Sequence, residues 1–398
     1  MFENKHIVVG ICGGIAAFKA AGLVSQLKQR GADVRCIMTQ NATKLVTPLT
    51  FGELSGNDVA VDMFENVHRW DVAHIALARL ADVFVIAPAT ADMIGKIANG
   101  IADDMLSTTV MATKSKVILV PSMNTNMYEN PIVQENMAKL RAHGYLFVEP
   151  ESGHLACNTE GKGRFPKLET IIDTIEKVLT GKDLLKGKKV VVSAGGTQEN
   201  IDPVRYISNR SSGRMGYAIA KAAAVEGAEV TLVSCTRELD VPLGVHVEYV
   251  HDARELDKAM NSYYDTCDVA VMAAAVSDYR PTVQANQKIK KESHDVLRID
   301  LTQNPDILYG LGQKKKNQFL VGFAAETNDV IEHGKSKLKR KNLDMLVAND
   351  VAMPGAGFNV PTNIATLIYK DGSMEQFPKM SKENLGHLII EKIAEKLK

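Results

Sequence analysis

The sequence predicts an α/β protein made of two doubly wound domains in tandem. Three observations carry this. Short apolar runs alternate with stretches of helical apolar spacing along the 398 residues. The runs end in glycine, proline or small polar residues, as parallel strands do where they feed a helix. The pattern then starts afresh after a polar, lysine-rich stretch, Thr180 to Lys189. At about 150 residues per domain the length allows two or three domains. The expected division is 1–189, with a linker at its end, and 190–398.

Basic and acidic side chains are equal in number, 47 of each. That balance argues against a general attraction to nucleic acid or to an anionic membrane. The first apolar run, Ile7-Val8-Val9-Gly10, is too short for a signal peptide or a membrane span. Cys12, Cys36, Cys157, Cys235 and Cys267 are odd in number, scattered and without a C-x-x-C pair. Neither a disulfide framework nor a zinc site is expected, and a cytoplasmic protein is.

In the first half, Ile7-Val8-Val9 reads as a strand, Gly10 to Gly14 as a glycine turn, and Ile15 to about Arg30 as a helix stopped by Gly31. Val34 to Met38 is the next strand. Strand, turn, helix, strand implies parallel pairing. Gly13 and Gly14 let the backbone approach an anion at the helix N-terminus. Their spacing departs from G-x-G-x-x-G, so a mononucleotide phosphate suits the turn better than a pyrophosphate. A turn needed only for packing is the other reading. The hydroxyls from Thr39 to Thr50 offer a second phosphate site or simple helix caps. His74 and Trp70, read alone, are a structural histidine and a packing anchor.

Ala81 to Ala87 is a wholly apolar strand except for Asp82, and it delivers Pro88-Ala89-Thr90-Ala91 to the carboxyl edge, where ligands bind in open α/β sheets. Met93 to Ala98 is helical, and Gly100 to Asp104 leads into a further helix with Ser107, Thr108 and Thr109. The strand Val117 to Val120 brings Pro121-Ser122-Met123-Asn124 to the same edge. Cys157 then stands in a glycine-rich stretch with two cations, His154 to Arg164, too irregular for a helix. Such a loop can fold over a site and carry a reactive group. Leu168 to Leu179 has helical spacing.

Gly10-Ile11-Cys12-Gly13-Gly14-Ile15-Ala16-Ala17, Ala87-Pro88-Ala89-Thr90, Pro121-Ser122-Met123-Asn124 and Ala156-Cys157, in that order, resemble the flavin-containing cysteine decarboxylases. The match is most specific to the phosphopantothenoylcysteine decarboxylase half of the bifunctional coenzyme A enzymes. Where that family continues Gly-Asp after the cysteine, this chain has Asn158-Thr159. The Gly-x-Gly-Arg end is kept as Gly161-Lys162-Gly163-Arg164. The resemblance implies FMN held by Gly13, Gly14, Ile15, Thr39, Pro88, Ala89, Thr90, Ala91 and Ser122, with Met123 against the substrate. It implies that Asn124 orients the substrate carboxylate and that His74 binds or deprotonates the substrate. Cys157 becomes the acid, since an unperturbed thiol, pKa about 8.5, is protonated near neutrality. The other four cysteines read as small core residues.

The second half repeats the plan. Val190-Val191-Val192 is a strand, Ser193 to Thr197 a glycine turn, Gly213 to Glu226 a helix, Val230 to Val233 a strand, and Cys267 to Met272 an apolar run like that at Val83. The two domains are therefore expected to be Rossmann-like, and the resemblance implies that the first is of the flavin-containing cysteine decarboxylase type. An insertion, Gln198 to Ser212, separates turn from helix. Its small polar residues suit a phosphate or acyl-phosphate, or form a surface loop with a capping serine. Asp278 follows a buried strand at a carboxyl edge. It suits a base, a ribose or a metal-bound water, or else caps a helix. Between Gln284 and Lys341 twelve Lys/Arg face seven Asp/Glu. A solvated helix face explains part of this excess, and a triphosphate is the other reading. Without interleaved aromatics, nucleic acid is the weaker one.

Ser208-Asn209-Arg210-Ser211-Ser212-Gly213, Ala275-Val276-Ser277-Asp278-Tyr279, Asn304-Pro305-Asp306-Ile307, Gly322-Phe323-Ala324-Ala325-Glu326-Thr327 and Lys341 to Asp350 closely resemble the phosphopantothenate–cysteine ligases. The resemblance implies that CTP activates 4′-phosphopantothenate as an acyl-cytidylate, which L-cysteine then attacks. Asn209 is implied to hold that intermediate and Lys288 to offset its charge. Met272, Ala273, Ala274, Asp278, Pro305, Asp306, Ile307, Leu308, Phe323, Lys337 and Lys341 are implied to contact substrate. Mg²⁺ is expected mainly through the CTP phosphates, with protein ligands unassigned. A homo-oligomer is implied, with a trimer-based decarboxylase core and a dimeric ligase. The rivals are a peptidyl-cysteine decarboxylase or flavin prenyltransferase, neither of which explains the second half, and a regulatory flavin-binding protein. Against the last stands the joint presence of His74, Asn124 and Cys157.

Overall fold

The computed structural model describes residues 2–64, 72–154, 160–290, 297–326, 330–350 and 360–397. It divides into two compact units, Met1–Thr180 and Gly181–Lys398.

The first unit contains β1 (His6–Ile11), α1 (Ala17–Gln29), β2 (Asp33–Met38), α2 (Pro48–Ser55), β3 (Val59–Ala60), α3 (Ala73–Leu80), β4 (Val83–Ala89), α4 (Ala91–Ala98) and α5 (Met105–Ala112). Then come β5 (Lys116–Pro121), α6 (Thr125–Tyr128), α7 (Pro131–Ala142), β6 (Leu146–Phe147), β7 (Glu151–His154), β8 (Glu160–Arg164) and α8 (Leu168–Thr180). Six strands form one parallel sheet in the order β3-β2-β1-β4-β5-β6. The order reverses between β1 and β4, and a crevice opens at the carboxyl ends of such a pair. Alternate side chains of β1 feed two cores. Ile7, Val9 and Ile11 join one face and Val8 the other. All four are fully buried, each contributing roughly 1.5–3 kcal/mol. Ala17, Ala20, Leu23, Val24 and Leu27 give α1 its buried stripe. The Ala87–Pro88 peptide at the end of β4 is cis.

The second unit contains β9 (Lys189–Ala194), β10 (Gln198–Asn200), β11 (Tyr206–Ser208), α9 (Arg214–Val225), β12 (Glu229–Ser234), β13 (Val245–Tyr249), α10 (Ala253–Tyr264), β14 (Val269–Met272), β15 (Tyr279–Pro281) and β16 (Leu301–Gln303). It continues with α11 (Ile307–Lys314), β17 (Phe319–Glu326), α12 (Val330–Arg340), β18 (Met345–Asp350), β19 (Thr362–Asn363), β20 (Ala365–Tyr369), β21 (Met374–Gln376), β22 (Met380–Ser381) and α13 (Lys382–Lys396). Its large sheet runs β13-β12-β9-β14-β17-β18-β20-β21. The first six strands are parallel and repeat the first unit's plan, with the reversal between β9 and β14. β20 and β21 extend the sheet antiparallel. Small residues on α9, Ala220 and Ala222 to Ala224 among them, are buried in the same core as Leu385, Ile389 and Ile393 of α13.

The segment 181–188 departs from the linker expected for it, because it packs with the second unit. Leu185 is buried in that core. The Glu226 carboxylate accepts the amides of Lys182 (3.0 Å) and Leu184 (3.2 Å), and the Leu185 amide reaches the Glu226 carbonyl. Lysines and glycines flanking one apolar pair hid this strap from composition. Glu226→Ala should destabilise the chain by about 1–3 kcal/mol, because it strands two amides. Urea unfolding followed by circular dichroism checks this. An unchanged midpoint would mean the carboxylate does not hold the strap.

Candidate active sites

At the carboxyl edge of the first sheet, the turn after β1 meets the ends of β4 and β5. Gly14 is where they converge: a Cβ there would lie 3.6 Å from Thr90 Cγ2, 3.7 Å from Pro88 Cγ and 3.9 Å from the Ser122 carbonyl. Gly13 backs onto Asn41, where a Cβ would come within 2.5 Å of the Asn41 Cβ. Thr39 continues β2 at this edge, donating its amide to the Ile11 carbonyl (3.0 Å). Thr90 caps α4 by accepting the Met93 amide, and Ala91 opens that helix. The N-terminus of α1 has no side-chain cap. In its first turn the amides of Ala17 and Lys19 donate to the carbonyls of Gly14 and Ala16, both at 2.9 Å, so the attraction for an anion there rests on the helix dipole. Ile15 and Phe18 stand beside this turn 63% and 60% exposed, unusual for such apolar residues. A backbone cradle without side chains and an uncapped helix start fit the phosphate of a flavin mononucleotide, and the exposed apolar pair fits a flat ring.

Asn124 lies one step further along the edge. The Ser122 amide reaches the Ala89 carbonyl, and Asn124 then caps α6, its Oδ1 accepting the Asn126 amide at 2.9 Å. The amide end of an asparagine is a donor and can address a carboxylate. His154 and Glu160 to Arg164, on either side of residues 155–159, belong to an antiparallel ribbon of β7 with β8. Its second strand lies across the start of α6. The Met123 amide donates to the Gly163 carbonyl at 3.0 Å, and Gly161 abuts Thr125. Residues 155–159, with Cys157, Asn158 and Thr159, connect these strands in sequence and lie outside the described residues, as do Trp70 and its neighbours 65–71. His74 is half-buried in the first turn of α3. Among the described residues no hydrogen bond joins it to the edge.

The remaining cysteines suit core roles. Burial pushes the thiols of Cys12, Cys36, Cys235 and Cys267 up to about 12. None of these is a ready thiolate at neutral pH.

The second edge holds a cavity of about 940 Å³. Its walls come from the start of α9, the segments after β14 and β16, the middle of β17 and the last turns of α12. Asn209, Met272, Ala273, Ala274, Asp278, Pro305, Asp306, Ile307, Leu308, Phe323, Lys337 and Lys341, all expected from the sequence, line it. The loops are tied to one another. Asn209 Nδ2 donates to the carbonyls of Val276 (3.1 Å) and Ala275 (3.4 Å), and Asn304 Nδ2 donates to that of Ser277 (2.8 Å). Gly213 caps the start of α9 at φ +77°, and a Cβ there would lie 2.8 Å from Thr236 Cγ2 and 3.3 Å from the Gly195 amide nitrogen. Lys341 is buried and pairs with Asp306 Oδ1 at 2.8 Å, while Lys337 donates to the Phe323 carbonyl.

Burial opposes ionisation of Asp306. The Lys341 hydrogen bond, the Tyr309 amide and the charges of Lys341 and Arg340 outweigh it and hold the carboxyl below the usual range. A depressed folded-state pKa adds stability that is complete above the unfolded value of 3.8 and fades as pH falls through the folded one. Asp306→Asn should therefore flatten the acid limb of the urea midpoint against pH, below about pH 4. An acid limb as steep as the parent's would contradict the assignment.

Lys288 is not part of this wall. It is exposed, next to Ile289, whose amide donates to Asp202 Oδ2 (3.1 Å) and whose carbonyl accepts from Arg205 Nη2 (2.9 Å). Sequence reasoning missed Arg214, Asn363 and Lys382, which do line the cavity. Burial and then the charge of Arg214 push the Lys382 amine down from its usual range. Arg214 follows the Ser-Ser-Gly stretch and was within reach of the sequence. Lys382 lies far along the chain and arrives only because α13 packs on α9. Among the described residues no group of three or more His, Cys, Asp or Glu is placed to hold a metal ion, and no helix is long and apolar enough to cross a membrane.

Two family models cover the chain. Residues 1–180 match the Flavoprotein family, and residues 185–397 match the DNA/pantothenate metabolism flavoprotein C-terminal domain. The chain is similar to the coenzyme A biosynthesis bifunctional protein CoaBC of Bacillus subtilis (strain 168). The two are 45% identical over 398 residues, covering 99% of this chain and 98% of that protein. It is 42% identical over 393 residues to the protein of the same description from Escherichia coli (strain K12), covering 98% and 97%. A crystal structure of the C-terminal domain of a CoaBC protein is 39% identical, covers 54% of this chain and 98% of that one, and has a TM-score of 0.47.

Proposed function

The chain belongs to the bifunctional coenzyme A biosynthesis proteins, and we propose a division of labour between its two sheet edges. It is a decarboxylase and a ligase in one polypeptide. In this reading the second unit acts first. CTP and 4′-phosphopantothenate form an acyl-cytidylate and pyrophosphate. L-Cysteine then displaces CMP to give 4′-phosphopantothenoylcysteine. A carboxylate is a poor electrophile, so the mixed anhydride is what makes amide formation possible. Asn209 holds the acyl-cytidylate. Lys337 and Lys341 meet the nucleotide, and Asp278 stands at the rim. Mg²⁺ travels with the CTP phosphates. Lys288 offsets charge on the triphosphate and on the developing oxyanion, from a position outside the described cavity wall.

The first unit removes the cysteine carboxylate to leave 4′-phosphopantetheine. When bound, FMN supplies a reversible two-electron oxidation at the thiol-bearing carbon. Gly13, Gly14, Ile15, Thr39, Pro88 to Ala91 and Ser122 hold it. Asn124 orients the departing carboxylate, with Met123 beside it. His74 binds the substrate or takes its thiol proton. Cys157 protonates the carbon that CO₂ has left. The enzyme is cytoplasmic and works as a homo-oligomer, trimeric through the first unit and dimeric through the second.

The observation that carries this reading is the meeting of Asn209, Asp278, Asp306, Phe323 and Lys341, from five distant segments, on one cavity at the edge where a nucleotide binds in such sheets. The test is to incubate the full chain with 4′-phosphopantothenate, L-cysteine and CTP. CMP, pyrophosphate, CO₂ and 4′-phosphopantetheine are expected, and none when CTP is omitted. Absence of CMP with all three substrates present would reject the ligase assignment.

A further inference from the structure

The ribbon strand β8 and the helix α6 are joined by more than their backbone contact. Glu149, in the segment between β6 and β7, gathers side chains from three elements. The Tyr128 hydroxyl at the end of α6 donates to Oε2 at 2.6 Å, Lys162 Nζ on β8 donates to the same oxygen at 3.0 Å, and Arg141 Nη2 on α7 donates to Oε1 at 2.5 Å. The Lys162 ammonium also lies 5.2 Å from the centroid of the Tyr128 ring, within cation–π range. Burial works against ionisation of Glu149, yet the bonds from Tyr128 and Lys162 and the charges of Lys162 and Arg141 hold its carboxyl below the usual range.

As stabilising contacts these would count for little. The Glu149 and Lys162 side chains are 48% and 42% exposed, and exposed pairs are weak. Their placement is what matters. Gly161 faces Thr125 of α6 and Gly163 faces Met123 and Asn124 just before it, and neither brings a side chain to grip with. Glu160 turns to His154 inside the ribbon, 3.7 Å away. Arg164 lies against Gly153 of β7, so among the described residues the side-chain hold of β8 on the α6 side is that of Lys162. On one side of this hold is the helix capped by Asn124. On the other is the strand that follows residue 157 in the chain.

We infer that Lys162, Glu149 and Tyr128 are positioning residues of the decarboxylase unit, fixing β8 on α6 so that Asn124 and Cys157 address one substrate. The inference rests on the roles proposed above for Asn124 and Cys157. It adds three residues that touch neither substrate nor cofactor. Loss of the hold should weaken protonation, the step given to Cys157, more than loss of CO₂.

The test uses the full chain, purified with its flavin, in single turnovers of 4′-phosphopantothenoylcysteine. For the parent, CO₂ and 4′-phosphopantetheine should appear in equal amounts. In Lys162→Met, formation of 4′-phosphopantetheine should slow at least about tenfold while CO₂ release slows less. CO₂ should then run ahead of product, and the flavin absorbance should stay bleached for longer. The thermal midpoint and CMP release by the ligase unit should stay at the parental values. Lys162→Arg should restore most of the rate, and Tyr128→Phe should reproduce the lag more mildly. Equal yields of CO₂ and product from Lys162→Met, whether at the parental rate or uniformly slowed with a lowered thermal midpoint, would overturn the inference. A parent chain that releases no CO₂ would instead overturn the decarboxylase reading itself.

Discussion

Gly163→Ala should abolish decarboxylation and leave the ligase intact. Gly163 sits at φ +145°, where L side chains are strained. A Cβ there would lie 2.1 Å from the Met123 carbonyl oxygen, and that atom is backbone that cannot swing away. The same glycine accepts the Met123 amide at 3.0 Å. Alanine must therefore push β8 off residues 123–125, next to Asn124 at the head of α6. A displacement of about 1 Å at reacting groups typically costs about 10²-fold in rate. A loss of at least that size in CO₂ release from 4′-phosphopantothenoylcysteine is expected. CMP release from 4′-phosphopantothenate, L-cysteine and CTP should be parental, because the second unit has its own cores. Parental CO₂ release would show that the contact of β8 with Met123 does not matter to the site.

Asn209→Asp should stop the ligase more completely than Asn209→Ala. The Asn209 amide donates to two carbonyls, those of Val276 and Ala275. Alanine removes those bonds. Aspartate removes them and sets a carboxylate against two carbonyl oxygens in a cavity assigned to a triphosphate and an acyl-phosphate. Loss of one transition-state donor commonly costs about 10²–10³ in kcat. The aspartate variant is expected at or beyond the upper end of that range and the alanine variant below it, read as CMP formed. Decarboxylation of supplied 4′-phosphopantothenoylcysteine should be unaffected in both. An aspartate variant as fast as the parent would remove Asn209 from the chemistry.

The plan of each unit was legible because parallel strands buried on both faces appear as unbroken apolar runs. Ile7 to Val9, Val83 to Ala87 and Val190 to Val192 are of this kind, the first two closed by Gly10 and Pro88 and the third followed by Gly195 after two small residues. What was not legible depends on pairing. β7 and β8 carry glycines and charges without alternation, and only their mutual hydrogen bonds make them strands. β10 and β11 likewise turn the expected insertion into a hairpin, with Asn209 at one end and the Asp202–Arg205 pair at the other. β20 and β21 extend the second sheet antiparallel after 351–359, outside the described residues. In the sites, Gly14, Thr90 and Ser122 could be read because Thr90 and Ser122 directly follow strands and Gly14 lies in the short turn after one. Lys382 and the contacts of Glu149 could not, since helix packing and long-range ion pairs bring them in.

The central claim is that one chain joins cysteine to a carboxylate at one edge and removes that cysteine's own carboxylate at the other. Cysteine labelled with ¹⁴C at its carboxyl carbon tests this most directly. With the full chain, 4′-phosphopantothenate and CTP, the account predicts one labelled CO₂ for each CMP, appearing after it, and none without CTP. Labelled CO₂ released without CTP, or CMP accumulating with the label retained in the product, would contradict it.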